Sequence, residues 1–126
     1  MQQQPFDAAE KAVPDELVRP FIGFMLMTPR ATRPSSAQVA IAATIAGEHV
    51  RAGACRLTHG EIARRTGYSK RNVIRGIKRL ETIGLIRVER DASGNTYIPD
   101  LDQGREYEAR YRRWASDWKR GVRRDL

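Results

Sequence analysis

Two short amphipathic helices joined by a tight turn are predicted over residues 56–86, and this pair constrains the fold more than any other feature of the chain. Thr58, followed by Glu61 three positions later, has the capping-box pattern that starts a helix. Gly67 is suited to end this first helix, since glycine readily adopts the left-handed conformation of a C-cap. Ser69 then caps the second helix, which leaves a turn of about three residues, as a helix-turn-helix requires.

The second helix, residues 69–83, has an apolar face and a cationic face. A buried stripe is predicted by apolar residues at spacings of four, three and three, namely Val73, Ile77, Leu80 and Ile83. The rest of the surface carries the candidate DNA contacts Ser69, Lys70, Arg71, Asn72, Arg75, Lys78 and Arg79. Arginine and asparagine can pair bidentately with guanine and adenine in the major groove. Gly76 is interpreted as a place where a DNA backbone could approach closely. A solvated helix face is the alternative, but caps, turn, stripe and charge agree on the binding surface.

A β-hairpin is predicted directly after these helices. Residues 85–90 alternate as a strand, residues 91–95 have turn chemistry, and residues 96–98 form a second short strand. With this hairpin, residues 37–100 resemble the winged helix-turn-helix family of bacterial and phage DNA-binding proteins. The string SKRNVIRGIKRLETIGLIRVER is similar to the family pattern S-x-x-T-V-x-R-x-I-x-x-L-x-x-x-G-L-I, with Asn72 where threonine is commoner.

The resemblance implies that the N-terminal end of the second helix enters the major groove and that the hairpin, as the wing, contacts the backbone or minor groove. Outside the second helix, the residues assigned to the DNA-binding surface are therefore Thr58, His59, Arg87, Arg90 and Asn95. Gly94 and Asn95 are expected at the wing tip.

The expected fold is mainly α with a small β-hairpin (α+β), and we divide the chain into three parts. Residues 1–34 comprise a flexible leader through Val13, an apolar segment at 17–27 and a linker. The apolar segment is expected to be a strand or broken helix docked on the core, or half of a dimer interface. Residues 35–100 form the trihelical winged core, whose first helix, residues 37–52, is capped by Ser35 or Ser36. Residues 101–126 form an added helix.

This C-terminal helix, expected over residues 102–122, has an aromatic side. Its aromatics recur at spacings of four, three and four and are the candidate dimerisation residues Tyr107, Tyr111, Trp114 and Trp118. Four large aromatic side chains on one face require a partner surface. Three partners stay open: the same chain, a second copy in a homodimer, or single-stranded nucleic acid stacked on the rings.

The charge distribution indicates a polyanion as partner. Residues 51–90 hold eleven Lys and Arg against three Asp and Glu, a net charge of +8 that equals the excess of the whole 126-residue chain. A membrane surface is disfavoured as the partner, because the apolar stripe of the basic helix is expected to pack in the core and the longest apolar segment has seven residues.

The single cysteine, Cys55, is typical of a reducing cytoplasm and is expected to be buried.

Enzyme, cofactor and metal motifs were not found in the sequence. It has no glycine-rich phosphate loop, nucleophile elbow, CxxC pair or recognisable carboxylate pair. His49 and His59 are ten residues apart with no acidic or cysteine companion at ligand spacing, so we predict no metal site. No cofactor and no small-molecule ligand are expected.

The sequence thus favours a transcription regulator that binds specific sequences in double-stranded DNA. We expect it to be cytoplasmic and nucleoid-associated, and to bind a two-fold site as a homodimer. The alternative is a replication or plasmid/phage maintenance accessory protein that uses the same winged helix; replication initiators of this type usually carry a second domain. A pure protein-interaction module is a third class, against which the concentrated charge argues.

Overall fold

Helices dominate the fold, and one β-hairpin separates the fourth helix of the described chain from the fifth. The computed structural model describes residues 8–121. In that range the elements are α1 (Ala8–Leu26), α2 (Ser36–Ala52), α3 (His59–Thr66), α4 (Lys70–Thr82), β1 (Ile86–Asp91), β2 (Gly94–Pro99) and α5 (Leu101–Lys119). The expected mainly α fold with a small antiparallel hairpin and a C-terminal helix is confirmed.

Helix α1 is longer than the sequence predicted. The expected flexible leader was wrong for residues 8–13, which lie in α1 and include three alanines, a glutamate and a lysine, all strong helix formers. Residues 1–7 lie outside the described part. The apolar segment is neither a strand nor a broken helix; it continues α1 and buries Val18, Phe21 and Met25 in the core. Pro20 removes a helical hydrogen-bond donor, and its burial indicates that packing on the core sustains the helix there.

The start of α3 and the turn to α4 form as predicted. The Thr58 hydroxyl accepts a hydrogen bond from the Glu61 N–H (3.1 Å), and the Glu61 carboxylate accepts one from the Thr58 N–H (2.8 Å). Gly67 ends α3 at a φ of 81° and its N–H donates to the Ala63 carbonyl. Ser69 caps α4. Both helices therefore begin directly after the N-cap residues predicted from the sequence.

The hairpin turn is tighter than predicted. Strands β1 and β2 are antiparallel with Asp91 opposite Gly94, so the turn consists of Ala92 and Ser93. The Asp91 carboxylate accepts hydrogen bonds from the N–H (2.8 Å) and hydroxyl (2.6 Å) of Ser93, which closes the chain within two residues. The expectation that Gly94 and Asn95 form the tip was wrong, because both lie in β2.

Cys55 connects the segment before α3 to the hairpin. Its carbonyl accepts a hydrogen bond from the Tyr97 N–H (2.9 Å), and its side chain is fully buried. Burial raises the pKa of the Cys55 thiol, which disfavours the nucleophilic thiolate. The prediction of a small buried residue is confirmed.

The apolar core lies between α1, α2, α4 and the hairpin. The largest fully buried side chains in the described residues are those of Tyr97, Phe21, Met25, Ile41, Ile45, Ile62 and Leu80. The predicted stripe of α4 is confirmed, with Val73, Ile77 and Leu80 buried and Ile83 partly buried against them.

Gly76 belongs to this core. A Cβ at Gly76 would lie 2.7 Å from the Cδ1 atom of Ile41 on α2. The interpretation of Gly76 as a point of close DNA approach was therefore wrong, since its missing side chain makes room for α2.

Helices α1 and α5 approach each other at the level of their backbones. A Cβ at Gly104 would lie 2.5 Å from the backbone nitrogen of Phe21. Tyr107 packs edge-on against Phe24, with ring centroids 6.4 Å apart. The first two turns of α5 therefore pack on their own chain, which is one of the three predicted environments. Farther along, Tyr111 and Trp118 are 45% and 48% exposed.

Glu48 joins α2 to α3. Its carboxylate pairs with Arg51 on its own helix and with Arg65 of α3 at 3.2 Å. The hydrogen bond from Arg51, assisted by that from Arg65, holds the pKa of Glu48 below its ordinary value of 4.5 although burial opposes the shift.

We expect this carboxylate to make stability depend on pH. Because the folded-state pKa is lowered, the stabilisation is present above the unfolded pKa and is lost as the pH falls through the folded pKa. The free energy of unfolding should therefore fall more steeply from about pH 5 to about pH 3 in the natural protein than in Glu48→Gln. Urea unfolding at several pH values measures this slope. Glu106→Gln, a change at an exposed α5 residue, should match the natural protein; parallel profiles for Glu48→Gln and the natural protein would contradict the expectation.

Within residues 8–121, the helices lack the combination of length and apolar character that crossing a membrane requires.

Candidate nucleic-acid interface

The outward face of α4 carries the densest group of predicted contact residues. Arg71, Ile74, Arg75 and Lys78 follow the spacing that places side chains on one side of a helix, and all four are exposed. Lys70 and Asn72 are also exposed, and Arg79 is half-buried. This face lies opposite the buried stripe, so the core fixes its orientation.

The N-terminal end of α4 is capped by the Ser69 side chain. The Ser69 hydroxyl accepts a hydrogen bond from the Asn72 N–H (3.1 Å). The remaining N–H groups of the first turn have no intrahelical acceptor and lie at the positive end of the helix dipole. Lys70 and Arg71 add two charges beside them. An anion near this end of α4 therefore meets oriented N–H donors and two exposed cationic side chains.

The cations of α4 are not neutralised by neighbouring carboxylates. Within the part of the chain that the structure describes, the cationic side chains of α4 make no ion pair; these are Lys70, Arg71, Arg75, Lys78 and Arg79. Glu81, the acidic residue of α4, is engaged by Arg90 of β1. Five positive charges on a helix of 13 residues therefore have no acidic partner among the described residues, which produces a positive local potential.

The two predicted cations of the hairpin differ from those of α4, since both have acidic partners. Arg90 donates to both carboxylate oxygens of Glu81, at 3.1 and 3.2 Å, and this contact braces β1 against α4. The hydrogen bonds from Arg90 lower the pKa of Glu81, and the same contact raises the pKa of Arg90. Arg87 pairs with Glu89 at 3.4 Å, and both side chains are largely exposed.

The start of α3 and the hairpin enclose a small cleft of about 260 Å³. Thr58, His59 and Asn95, which were assigned to the DNA-binding surface, line this cleft together. The hydroxyl of Thr58 is occupied by the capping hydrogen bond, and the Asn95 amide donates to the Tyr97 hydroxyl at 3.3 Å. These three residues thus lie together, but two of them already have internal partners.

Sequence reasoning missed two residues of this surface. Arg56 donates to the hydroxyls of Thr96 and Ser93, both at 2.7 Å, and so ties the segment before α3 to the hairpin; a contact across about forty positions leaves no local signal. Ile74 is 45% exposed in the middle of the cationic face. Its position outside the apolar stripe of α4 was readable from the helical spacing.

The two histidines lie in different helices. His59 is the first residue of α3, whereas His49 lies in the last turn of α2, where its Nδ1 atom is buried and has no hydrogen-bond partner among the described residues. Between residues 8 and 121, no three His, Cys, Asp or Glu side chains cluster in a way that could hold a metal ion.

The aromatic side of α5 is a continuous row of ring contacts. Ring centroids are 6.3 Å apart for Tyr107 and Tyr111, 5.8 Å for Tyr111 and Trp114, and 5.5 Å for Trp114 and Trp118, with tilts of 32–39° between planes. Because neighbouring rings face each other, their faces are partly occupied within the row. This geometry leaves less room for bases to stack between them.

Comparisons of the chain with protein-family models, with curated proteins and with solved structures find no match.

Proposed function

We propose that this chain is a winged helix-turn-helix protein that binds specific sequences in double-stranded DNA and acts as a transcription regulator. The observation that carries the proposal is the exposed face of α4 with its five cations that have no acidic partner in the described residues. Like charges on one helix face repel one another, and a bound polyanion such as DNA would offset that repulsion.

In the proposed complex, α4 lies in the major groove with its N-terminal end nearest the bases. Arg71 and Asn72 are the base-reading residues, because their side chains are exposed there and have bidentate pairing geometry. Ile74, exposed between the cations, is suited to contact the methyl group of thymine. Lys70, Arg75, Lys78 and Arg79 contact phosphates, and the first-turn N–H groups of α4 support them.

The hairpin acts as the wing beside this helix. Its exposed tip, Ala92 and Ser93, carries no charge, so Arg87 provides its main contact to the DNA backbone. Arg90 supports this interface indirectly, because its ion pair with Glu81 holds the wing in position against α4.

A phosphate contact at Lys78 gives a direct test of this proposal. Each phosphate that a protein cation neutralises adds roughly 0.9 to the slope of log affinity against log salt. Lys78→Gln should therefore weaken binding similarly on every duplex and reduce that slope by about one. Arg113→Gln, which removes a charge from an exposed α5 residue, is the matched control and should leave the slope unchanged. Equal slopes for the natural protein and Lys78→Gln would exclude the contact.

We further propose that two copies associate through the outer part of α5 and so bind a two-fold site. The support is the row of aromatic rings whose member Tyr111 is 45% exposed. Large exposed aromatic side chains are enriched where proteins associate.

Tyr111→Lys is expected to convert a dimer into a monomer, because it places a charge in the apolar contact. Sedimentation equilibrium at micromolar concentration measures the change. Ala109→Lys adds the same charge at an exposed position of the same helix and should leave the dimer intact. A natural protein that sediments as a monomer at these concentrations would refute dimerisation through α5. Truncation of α5 is a poorer test, since Gly104 and Tyr107 also hold α1.

A further inference from the structure

A cavity of about 580 Å³ opens between the end of α1, the loop that follows it, the α4–β1 junction and α5. Its walls are mainly apolar and include Phe24, Met27, Ile83, Leu85 and Tyr107. A volume of this size and a mainly apolar lining are typical of sites for small organic molecules. The cavity lies at the C-terminal end of α4, whereas the predicted base-reading residues lie at the opposite end.

One positive charge lines this cavity. Arg110 of α5 stands among the lining residues, and none of the residues lining the cavity is acidic. Arg110 makes no ion pair with another described residue. The other polar groups are two threonines of the loop and Gln103, whose amide donates to the Asp100 carboxylate (2.8 Å) and to the Gly84 carbonyl (3.2 Å). The cavity therefore presents an apolar surface together with a guanidinium that has no carboxylate partner.

We infer that this cavity binds a small organic anion with an apolar body. Its carboxylate or sulfonate pairs with the fork of the Arg110 guanidinium, which matches the geometry of such groups. Its ring or branched body lies against Phe24, Met27 and Ile83, whose exposed surfaces are removed from water on binding. A neutral molecule of the same shape would leave the guanidinium without its partner, so the site prefers the anion.

Occupancy of the cavity is placed to affect α4 and the hairpin. Ile83 is the C-cap of α4, and its N–H donates to the Arg79 carbonyl. Leu85 hydrogen-bonds through its N–H to the Leu80 carbonyl and through its carbonyl to the Asp100 N–H, both at 2.9 Å. A ligand against these residues is expected to change DNA affinity. That consequence rests on the proposed function, whereas binding of the anion does not.

The test uses two dyes of similar shape, the anion 1-anilinonaphthalene-8-sulfonate and the neutral N-phenyl-1-naphthylamine. Fluorescence titration of the full chain without DNA gives their affinities and stoichiometries. We expect one molecule of the anion per chain, bound about tenfold more weakly by Arg110→Gln because a charge-assisted hydrogen bond is lost. The affinity of the neutral dye should not change in Arg110→Gln. Arg113→Gln, one turn farther along α5, should change neither affinity.

A second variant locates the dyes in the cavity. Thr32→Phe adds a ring to the loop wall at an exposed position away from the core and should weaken both dyes by about tenfold or more. No binding of the anion, equal losses in Arg110→Gln and Arg113→Gln, or unchanged affinities in Thr32→Phe would each overturn the inference. Because no DNA is present, these results stand apart from any failure of DNA binding.

Discussion

Gly104→Ala should lower the free energy of unfolding by about 1–3 kcal/mol, the range expected for overpacking at a close contact. The added Cβ would lie 2.5 Å from the nitrogen and 2.6 Å from the Cα of Phe21, and 2.8 Å from the carbonyl carbon of Pro20. All three atoms belong to the α1 backbone, which cannot move aside by a side-chain rotation. Helix α5 must therefore shift away from α1, with loss of the packing between Tyr107 and Phe24. Urea unfolding followed by far-UV circular dichroism measures the change.

Gly47→Ala is the matched control for this substitution. Gly47 also lies within a helix, but among residues 8–121 no heavy atom beyond the neighbouring backbone of α2 would come within 4 Å of its Cβ. Removing the backbone freedom of a helical glycine should raise stability by about 0.5–1 kcal/mol. The two substitutions should thus have opposite signs. A stabilising effect of Gly104→Ala would show that α1 and α5 do not pack as closely as described.

Arg71→Ala should weaken binding to a selected DNA sequence by about 1–3 kcal/mol and relax preference at one base position. Arg71 is exposed at the N-terminal end of α4 and is not held by a carboxylate of the described chain. A bidentate contact to guanine discriminates against the other bases, so its loss should be smaller on random duplex than on the selected sequence. Fluorescence anisotropy with both duplexes at one salt concentration gives the two losses.

Arg113→Ala removes an exposed arginine from α5 and serves as the control for non-specific charge. It should reduce binding to both duplexes by a small and equal amount, because a distant charge contributes only through the screened field. An equal loss on both duplexes for Arg71→Ala would assign Arg71 to a phosphate contact. No loss on either duplex would remove Arg71 from the interface.

The elements predicted best are those with local causes. The capping box of Thr58 and Glu61, the C-cap at Gly67 and the apolar spacing of α4 involve residues within one or two helical turns, and all formed as expected. The hairpin was predicted for the same reason, but its turn was expected to span residues 91–95 and consists of Ala92 and Ser93 alone. There the Asp91 carboxylate accepts hydrogen bonds from the N–H and hydroxyl of Ser93, and Gly94 and Asn95 belong to β2.

The features missed depend on contacts between distant parts of the chain. The core packing of Gly76 and the approach of Gly104 to Phe21 require knowledge of which helix lies opposite, which periodicity does not provide. The same holds for the ion pair between Glu81 and Arg90, which gives a predicted DNA-contact residue a partner on α4. The outward position of the α4 cations was predictable, because the buried stripe occupies the opposite face of the helix.

Recognition of specific DNA by α4 is tested most directly by fluorescence anisotropy of the natural protein with two labelled duplexes. One carries a sequence selected by the protein from a pool of genomic fragments, and the other has a random sequence; both are titrated at about 50 mM and about 200 mM salt. We expect tight binding of the selected duplex, above a weaker and steeply salt-dependent binding of the random one. Equal affinity for both duplexes, or no binding at either salt concentration, would contradict sequence-specific recognition by this helix.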